Sequence, residues 1–538
     1  MRTCVFLLAA LAVAGCHWDL NDKSTDPETD QLYFPAGIVM DPDGRFAYVS
    51  NGNADLRFGG GTVQMVDMLS FECTIAEYRK YSKPADPVND PNTPIPTWCN
   101  FMSDQDWIQF ANYNAKCARN ALDPSIVECD ESAFILQNST VRVGNFAGAI
   151  RLVPDPSDPL HRTLFVAVRG DPSVTRIDVH FPGSTSANPG AKDIYTPTSI
   201  DQPGVLQCVS SPSTLATRPE YNPTTHETSS PAPCDATFLV QDYYCQYQPN
   251  CTVGVNNNGK TQLPAEPFGM VVDNSNPTNR RLLVSHLATG QVSVIGVDVP
   301  PSQALLSEST EFFPPDPTGR HGAFALAQQS PSDPHSLWYV TSNVNPLVAT
   351  FRVADANVIT VAQQSQFVLS STFAQGTDVR DFIFDNDGNR AFMTENNPPS
   401  LLVVDTRNDP SNANQPRNVI TDVVDVCLTP SHMGMRQIGG QTKAIVVCFL
   451  SSQVMIVDPN RPGVDATIFS GFSGPNDITF NFSDPGVTPV TQQIIPNKHA
   501  YVTNYSESTI AVVDLEPSSP TQNRVIGKLG HPLDGINP

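Results

Sequence analysis

One order of segments is written repeatedly along this chain, and it leaves few folds open. An apolar strand is followed by a turn rich in Asp, Pro and Gly, then by a strand of alternating aromatic and β-branched residues, then by a third strand that closes on Asp. The first copy runs through 34–40, the turn Asp41-Pro42-Asp43-Gly44, 46–51 and 62–67, with a fourth strand at 141–144. Further copies lie at 149–179, 267–298, 321–353, 381–405, 433–458 and 477–514, the last with an outer strand at 524–529. A small twisted sheet of this kind cannot bury both faces alone. Neighbours must stack radially, and seven can close a ring without a long open edge. The expectation is an all-β, seven-bladed β-propeller over 33–538. Blades one and seven are expected to meet by face packing rather than by strand exchange.

Two insertions interrupt the ring, 71–139 and 181–264. Both are read as lying between the third and fourth strands of their blades, hence on the face opposite the loops that lead into the inner strands. The first carries Cys73, Cys99, Cys117 and Cys129, and the second Cys208, Cys234, Cys245 and Cys251. Disulfides there can substitute for a core, and each set allows three pairings. Residues 104–122 read as helical. Cys427 and Cys448 are expected to pair, because they flank strand ends on the same face of one blade.

The chain opens with a short apolar run, 5–13, too short to span a bilayer and suited to a signal peptide over 1–15. It ends in Val13-Ala14-Gly15-Cys16, which resembles the bacterial lipobox and implies lipid on Cys16. By the same resemblance, His17 after the cysteine points to the outer membrane, and 16–32 reads as a polar tether. Without Cys4 and Cys16 an even number of cysteines remains, suited to an oxidising compartment. Net charge is -23 with no basic run, which argues against nucleic acid. Tyr48-Val49-Ser50-Asn51 and Tyr501-Val502-Thr503-Asn504 resemble the YVTN β-propeller repeat of bacterial and archaeal surface proteins. That resemblance implies an extracytoplasmic propeller and is defined by a repeat, not by a shared reaction.

No HExxH, GxSxG, GxxxxGK or post-strand GxGxxG is present. Gly59-Gly60-Gly61 and Arg169-Gly170-Asp171 read as turns, the second only superficially as an adhesive tripeptide. Asp385-Asn386-Asp387-Gly388-Asn389 has the oxygen-rich start of a calcium loop but lacks the downstream glutamate, so a hairpin is favoured. Position in the fold says more. Loops leading into the inner strands converge on the mouth of the central channel. They carry Glu266, Arg320, His321, Asp378, Arg380, Asp381, His432, Asn476 and Asp477. Blades one and two offer only Pro35 and Phe146, so the mouth reads as lopsided.

The reading that follows is a lipid-anchored envelope protein that binds or scaffolds without catalysis, with no cofactor or resident metal. Its partners would be the membrane, through the lipid, and an envelope protein or small ligand. The alternatives are a metal-dependent hydrolase of the lactonase type, with its site at the mouth, and a surface adhesin.

Overall fold

The computed structural model describes residues 27–42, 44–81, 110–136, 140–170, 173–180, 263–273, 279–298, 305–330, 336–355, 359–369, 378–385, 387–481 and 498–530, with a few short pieces besides. Seven antiparallel sheets follow one another along the chain as blades of a propeller. Their inner strands are Pro35–Met40, Ala147–Pro154, Pro267–Asp273, Ala323–Gln328, Val379–Phe384, Pro430–Ile438 and Pro475–Phe480. Adjacent blades interdigitate, as where Phe46, Tyr48 and Val63 meet Ile150, Leu164 and Val166. Each such side chain removed from water contributes roughly 1.5–3 kcal/mol, and ring closure lets both faces of every blade gain it.

All seven inner strands bulge at the same level, with two residues opposing one on the second strand. The opposing residue is Ser50, Ser285, Thr341, Thr394 or Thr503 in five blades, and Ala167 or Val447 in the other two. A bulge strips a main-chain N–H of its ladder partner, and the hydroxyl accepts it: Gly269, Ala325 and Asp477 each donate their N–H to it at 3.0 Å. Three of the five hydroxyls also bridge to the next blade. Ser50 Oγ donates to the Gly148 carbonyl at 2.6 Å, Ser285 Oγ to that of Phe324, and Thr341 Oγ1 to that of Val379 at 3.5 Å.

Where the hydroxyl is missing, or unpartnered as at Thr394, another group crosses the joint. Arg151 Nε donates to the Met270 carbonyl at 2.8 Å, the Met433 N–H to Asp381 Oδ2 at 2.8 Å, and Ser431 Oγ to the Asn476 carbonyl at 3.0 Å. The repeated Tyr-Val-Ser-Asn segment thereby acquires a physical meaning. Tyr48 OH ties down the turn through Asp41 Oδ2 at 2.9 Å, Ser50 spans the joint, and Asn51 Nδ2 donates to Thr62 Oγ1 and Gln64 Oε1 at 3.0 and 2.8 Å.

Blades seven and one meet without exchanging a strand. The Ile38 N–H donates to Asp477 Oδ2 at 3.0 Å and Asn476 Nδ2 to the Ala36 carbonyl at 2.6 Å. The first insertion then covers this seam. Helix α1 (Met68–Tyr81) starts where the Ser70 N–H meets Asp67 Oδ1 at 3.0 Å and ends with Arg79 and Lys80 near its carbonyl pole. It packs Phe71 and Ile75 into one cluster with Tyr501 and Leu529. Gly527 is the residue beneath it, where a Cβ would stand 2.1 Å from Ile75 Cδ1. Val127–Cys129 then adds in parallel to the outer strand Arg524–Leu529, so a strand of the insertion borders blade seven.

Within the insertion Cys73 pairs with Cys99 and Cys117 with Cys129, at Cα separations of 5.5 and 4.1 Å. In blade six Cys427 pairs with Cys448 across 5.7 Å. The helix expected at 104–122 is corrected: from 110 onward there is one turn, Phe110–Asn114, and then the strand Ala118–Arg119. Pairing with Val127–Cys129 and closure of the Cys117–Cys129 loop override local propensity. Residues 27–32, expected in the tether, run along blade one, where the Thr29 and Gln31 carbonyls accept from Gln64 Nε2 and Leu32 is buried. The third strand of blade two, Ser173–His180, pairs with Val205–Cys208 and with Leu239–Val240, so its outer partners come from inside 181–264. Cys16, Cys234, Cys245, Cys251 and the side chain of Cys208 lie outside the described residues.

Candidate functional site

The bulges build the channel mouth. In a regular strand successive side chains alternate between the two faces of a blade, but a bulge sets two successive residues at one level near the start of each inner strand. Of these bulge residues, Ala36, Gly148-Ala149, Phe268-Gly269 and Phe324-Ala325 of blades one to four line the mouth, with Arg380-Asp381, His432 and Asn476 of blades five to seven, while Gly37, Ser431 and Asp477 point into the joints between blades. Above them opens a cavity of about 490 Å³. Of the nine residues singled out in the sequence, Arg320, Arg380, Asp381, His432 and Asn476 line it.

The other four serve the walls. Asp477 receives the N–H groups of Ile38 and Ile478 at 3.0 and 2.8 Å. Asp378 Oδ2 accepts from Arg380 at 2.6 Å and from Asn396 at 3.0 Å. His321 Nδ1 lies 2.6 Å from the Phe313 carbonyl, and Glu266 stands 3.9 Å from Arg169. Asp381 faces the cavity, yet its carboxylate is committed as well, accepting from Met433 N–H and Phe382 N–H at 2.8 Å each. Asp385 likewise takes the N–H groups of Asn389 and Arg390, which makes 385–389 a hairpin joining two strands of blade five.

His432 sits between two of these carboxylates, with Nδ1 3.7 Å from Asp381 Oδ2 and 3.8 Å from Asp477 Oδ1. Burial alone would push its pKa down, but Asp477 and Asp381 outweigh both burial and Arg151, and the imidazole is held above its ordinary 6.5. Opposite Val379 on the second strand of blade five, buried Glu395 is pushed up to about 7 by burial and by Asp378, against a hydrogen bond from Ser400.

Blade two corrects the lopsided reading, because it brings Arg151 and Arg169 to the cavity. Arg151 lies within an inner strand and Arg169 in the loop after a second strand, and neither belongs to the loops that lead into inner strands. For Arg169 the signal was available, since the loop after a second strand also faces the mouth in an antiparallel blade, whereas Arg151 lies within a strand and needed the register. Aromatic rings complete the wall, including Phe146, Phe268, Phe324, Phe449 and Tyr505. Gly61, read as part of a turn, opens a third strand instead: a Cβ there would meet the Asn51 carbonyl at 2.4 Å. Asp171 lies outside the described residues.

No protein-family model and no curated protein matches the sequence. Among solved structures, a Bacteroides uniformis protein provisionally assigned as a 6-phosphogluconolactonase aligns over 79% of this chain and 80% of its own, with 11% identity and a TM-score of 0.42. A Lactobacillus plantarum protein aligns over 80% and 84%, with 10% identity and a TM-score of 0.41. The hydrazine synthase of Kuenenia stuttgartiensis aligns over 94% and 99%, with 11% identity and a TM-score of 0.43.

Proposed function

We propose that this chain is a cell-envelope propeller of the YVTN-repeat kind, held to the outer membrane by lipid on Cys16. Its role is non-enzymatic binding of a small ligand at the channel mouth. The observation that carries the reading is the commitment of the mouth's carboxylates. Asp381 and Asp477 spend both oxygens on main-chain N–H groups, and Asp378 gives Oδ2 to Arg380 and Asn396 while its Oδ1 is buried away from the cavity. What remains facing the cavity are N–H donors and rings, a set suited to holding a ligand in place. A divalent ion needs several convergent free oxygens, and these residues do not fit that requirement.

Gly148 provides the test. It lines the cavity, and a Cβ added there would meet only the Ala167 carbonyl, at 3.9 Å. Native mass spectrometry of protein purified from envelopes should show a retained small molecule that Gly148→Trp loses. A stoichiometric metal ion, lost together with lactone turnover on joint Asp378→Ala and Asp381→Ala replacement, would transfer the assignment to the hydrolase. Cys16→Ser should release the protein from membranes, and fatty acid still present on that variant would refute the anchor.

A further inference from the structure

Across the mouth runs a ladder of four side chains from four successive blades. The Arg169 guanidinium lies over Phe268 at 5.6 Å, Phe268 contacts Phe324 at 4.2 Å between centroids, and Arg380 lies over Phe324 at 5.4 Å. Aromatic faces hold these cations where a carboxylate would neutralise them more fully. Their ion pairs are one-sided: Glu266 is 3.9 Å from Arg169, and Asp378 bonds Nη2 of Arg380. Nε of each has no hydrogen-bond partner among the described residues. Arg151 donates to the carbonyls of Met270 and Ile150, which leaves its charge uncompensated. The Arg320 side chain has no hydrogen bond or ion pair among the described residues, and its charge is felt by exposed Asp316, whose carboxyl it helps the Arg320 N–H to hold below the ordinary carboxylate range. All four arginines line the cavity together with His432, against one lining carboxylate, in a chain of net charge -23.

From this arrangement we infer that the ligand is an organic anion, a carboxylate or phosphate ester, carrying a flat apolar group. The inference rests on the mouth being the binding site. The charge meets Arg151, Arg320 and the His432 side, while the flat part lies against the edges of the Phe268–Phe324 pair, whose faces are taken by each other and by Arg169 and Arg380. A guanidinium stacked on a ring keeps its in-plane N–H groups for a planar or tetrahedral oxyanion, and the ring excludes water from that contact.

Calorimetric titration of the full chain with phenyl phosphate, inorganic phosphate and phenyl β-glucoside tests it. Phenyl phosphate should bind one per chain and weaken with salt, inorganic phosphate more weakly, and the glucoside not measurably. Arg320→Gln, which breaks no hydrogen bond or ion pair of the described fold, should cost about tenfold in affinity for the phosphate ester, the loss of one charge-assisted contact. Arg151→Gln should cost more, and the remote Arg461→Gln nothing. Glucoside binding as tight as the ester, or ester binding indifferent to both arginine variants, overturns the anion while leaving the mouth as the site. Binding of no probe, with Gly148→Trp also without effect on the retained molecule, overturns both.

Discussion

The seam between blades seven and one and the mouth of the channel use the same pair of groups, a histidine and a carboxylate, to opposite ends. At the seam, His499 Nδ1 is 2.8 Å from Glu72 Oε1, and Tyr501 OH donates to the same oxygen. No main-chain amide competes for that carboxylate among the described hydrogen bonds, so the two side chains are fixed and α1 is fastened to blade seven. At the mouth, main-chain N–H groups have already taken Asp381 and Asp477, and His432 lies just beyond hydrogen-bond reach of both. It keeps the benefit of their charge without being held by them, and it faces a cavity. The partner that satisfies a carboxylate therefore decides whether the neighbouring histidine is structural or available.

The largest effect should come from breaking the seam. Glu72→Ala leaves a half-buried imidazole and a buried phenol without their acceptor, which should cost about 3–5 kcal/mol in urea unfolding, as for a broken buried pair. A loss below about 1 kcal/mol would place the seam's strength in apolar packing alone. The histidine there adds a pH signature. Burial lowers its pKa, but Glu72 and Asp514 raise it by more, against Lys498, so the folded value lies above the ordinary 6.5. The pair's contribution is therefore complete below pH 6.5 and is lost as pH rises through the raised folded pKa. Glu72→Gln should flatten that part of the stability profile.

Next in size, joint Cys427→Ala and Cys448→Ala opens a loop with a sequence separation of 21. Chain entropy predicts a loss of about 3 kcal/mol, read as a lower urea midpoint. At the mouth, Asp381→Asn keeps an acceptor for Met433 N–H while removing charge from His432. Stability should fall by about 1 kcal/mol, and the His432 pKa should move down. Unchanged titration of His432 would make Asp477 the sole source of its shift. Glu395 gives an effect of the opposite sign, confined to the higher pH range. Its folded pKa of about 7 exceeds the ordinary 4.5, so folding loses stability as pH rises from 4.5 through about 7. Glu395→Gln should remove that slope and raise the melting temperature slightly above pH 7.

The ring was legible because period-two strands and Asp/Pro/Gly turns are local signals, and seven copies reinforce one another. The bulges were not, since a two-for-one register shift leaves the same residue types in the same order. They decide which residues reach the channel. Arg380, Asp381, His432 and Asn476 could be named from their place before or within inner strands, whereas Arg151 and Phe268 became visible only once the register was known. Helix α1 had a readable start at Asp67 and basic residues at its end, but the third strand runs straight into it without a turn to mark the change. The parallel pairing of Val127–Cys129 with blade seven joins residues about 400 apart in sequence, beyond any local pattern.

The most direct measurement is the proton titration of His432 by NMR, its ring signals assigned from His432→Gln, with and without saturating phenyl phosphate. An anion held at the mouth must stabilise the imidazolium alongside Asp381 and Asp477. By linkage, the already raised midpoint should then move further up when the ester is bound, and affinity should fall as pH rises through it. A midpoint that stays in place or moves down while calorimetry shows the ester bound would contradict the account, because the anion would then sit away from the charged wall of the channel.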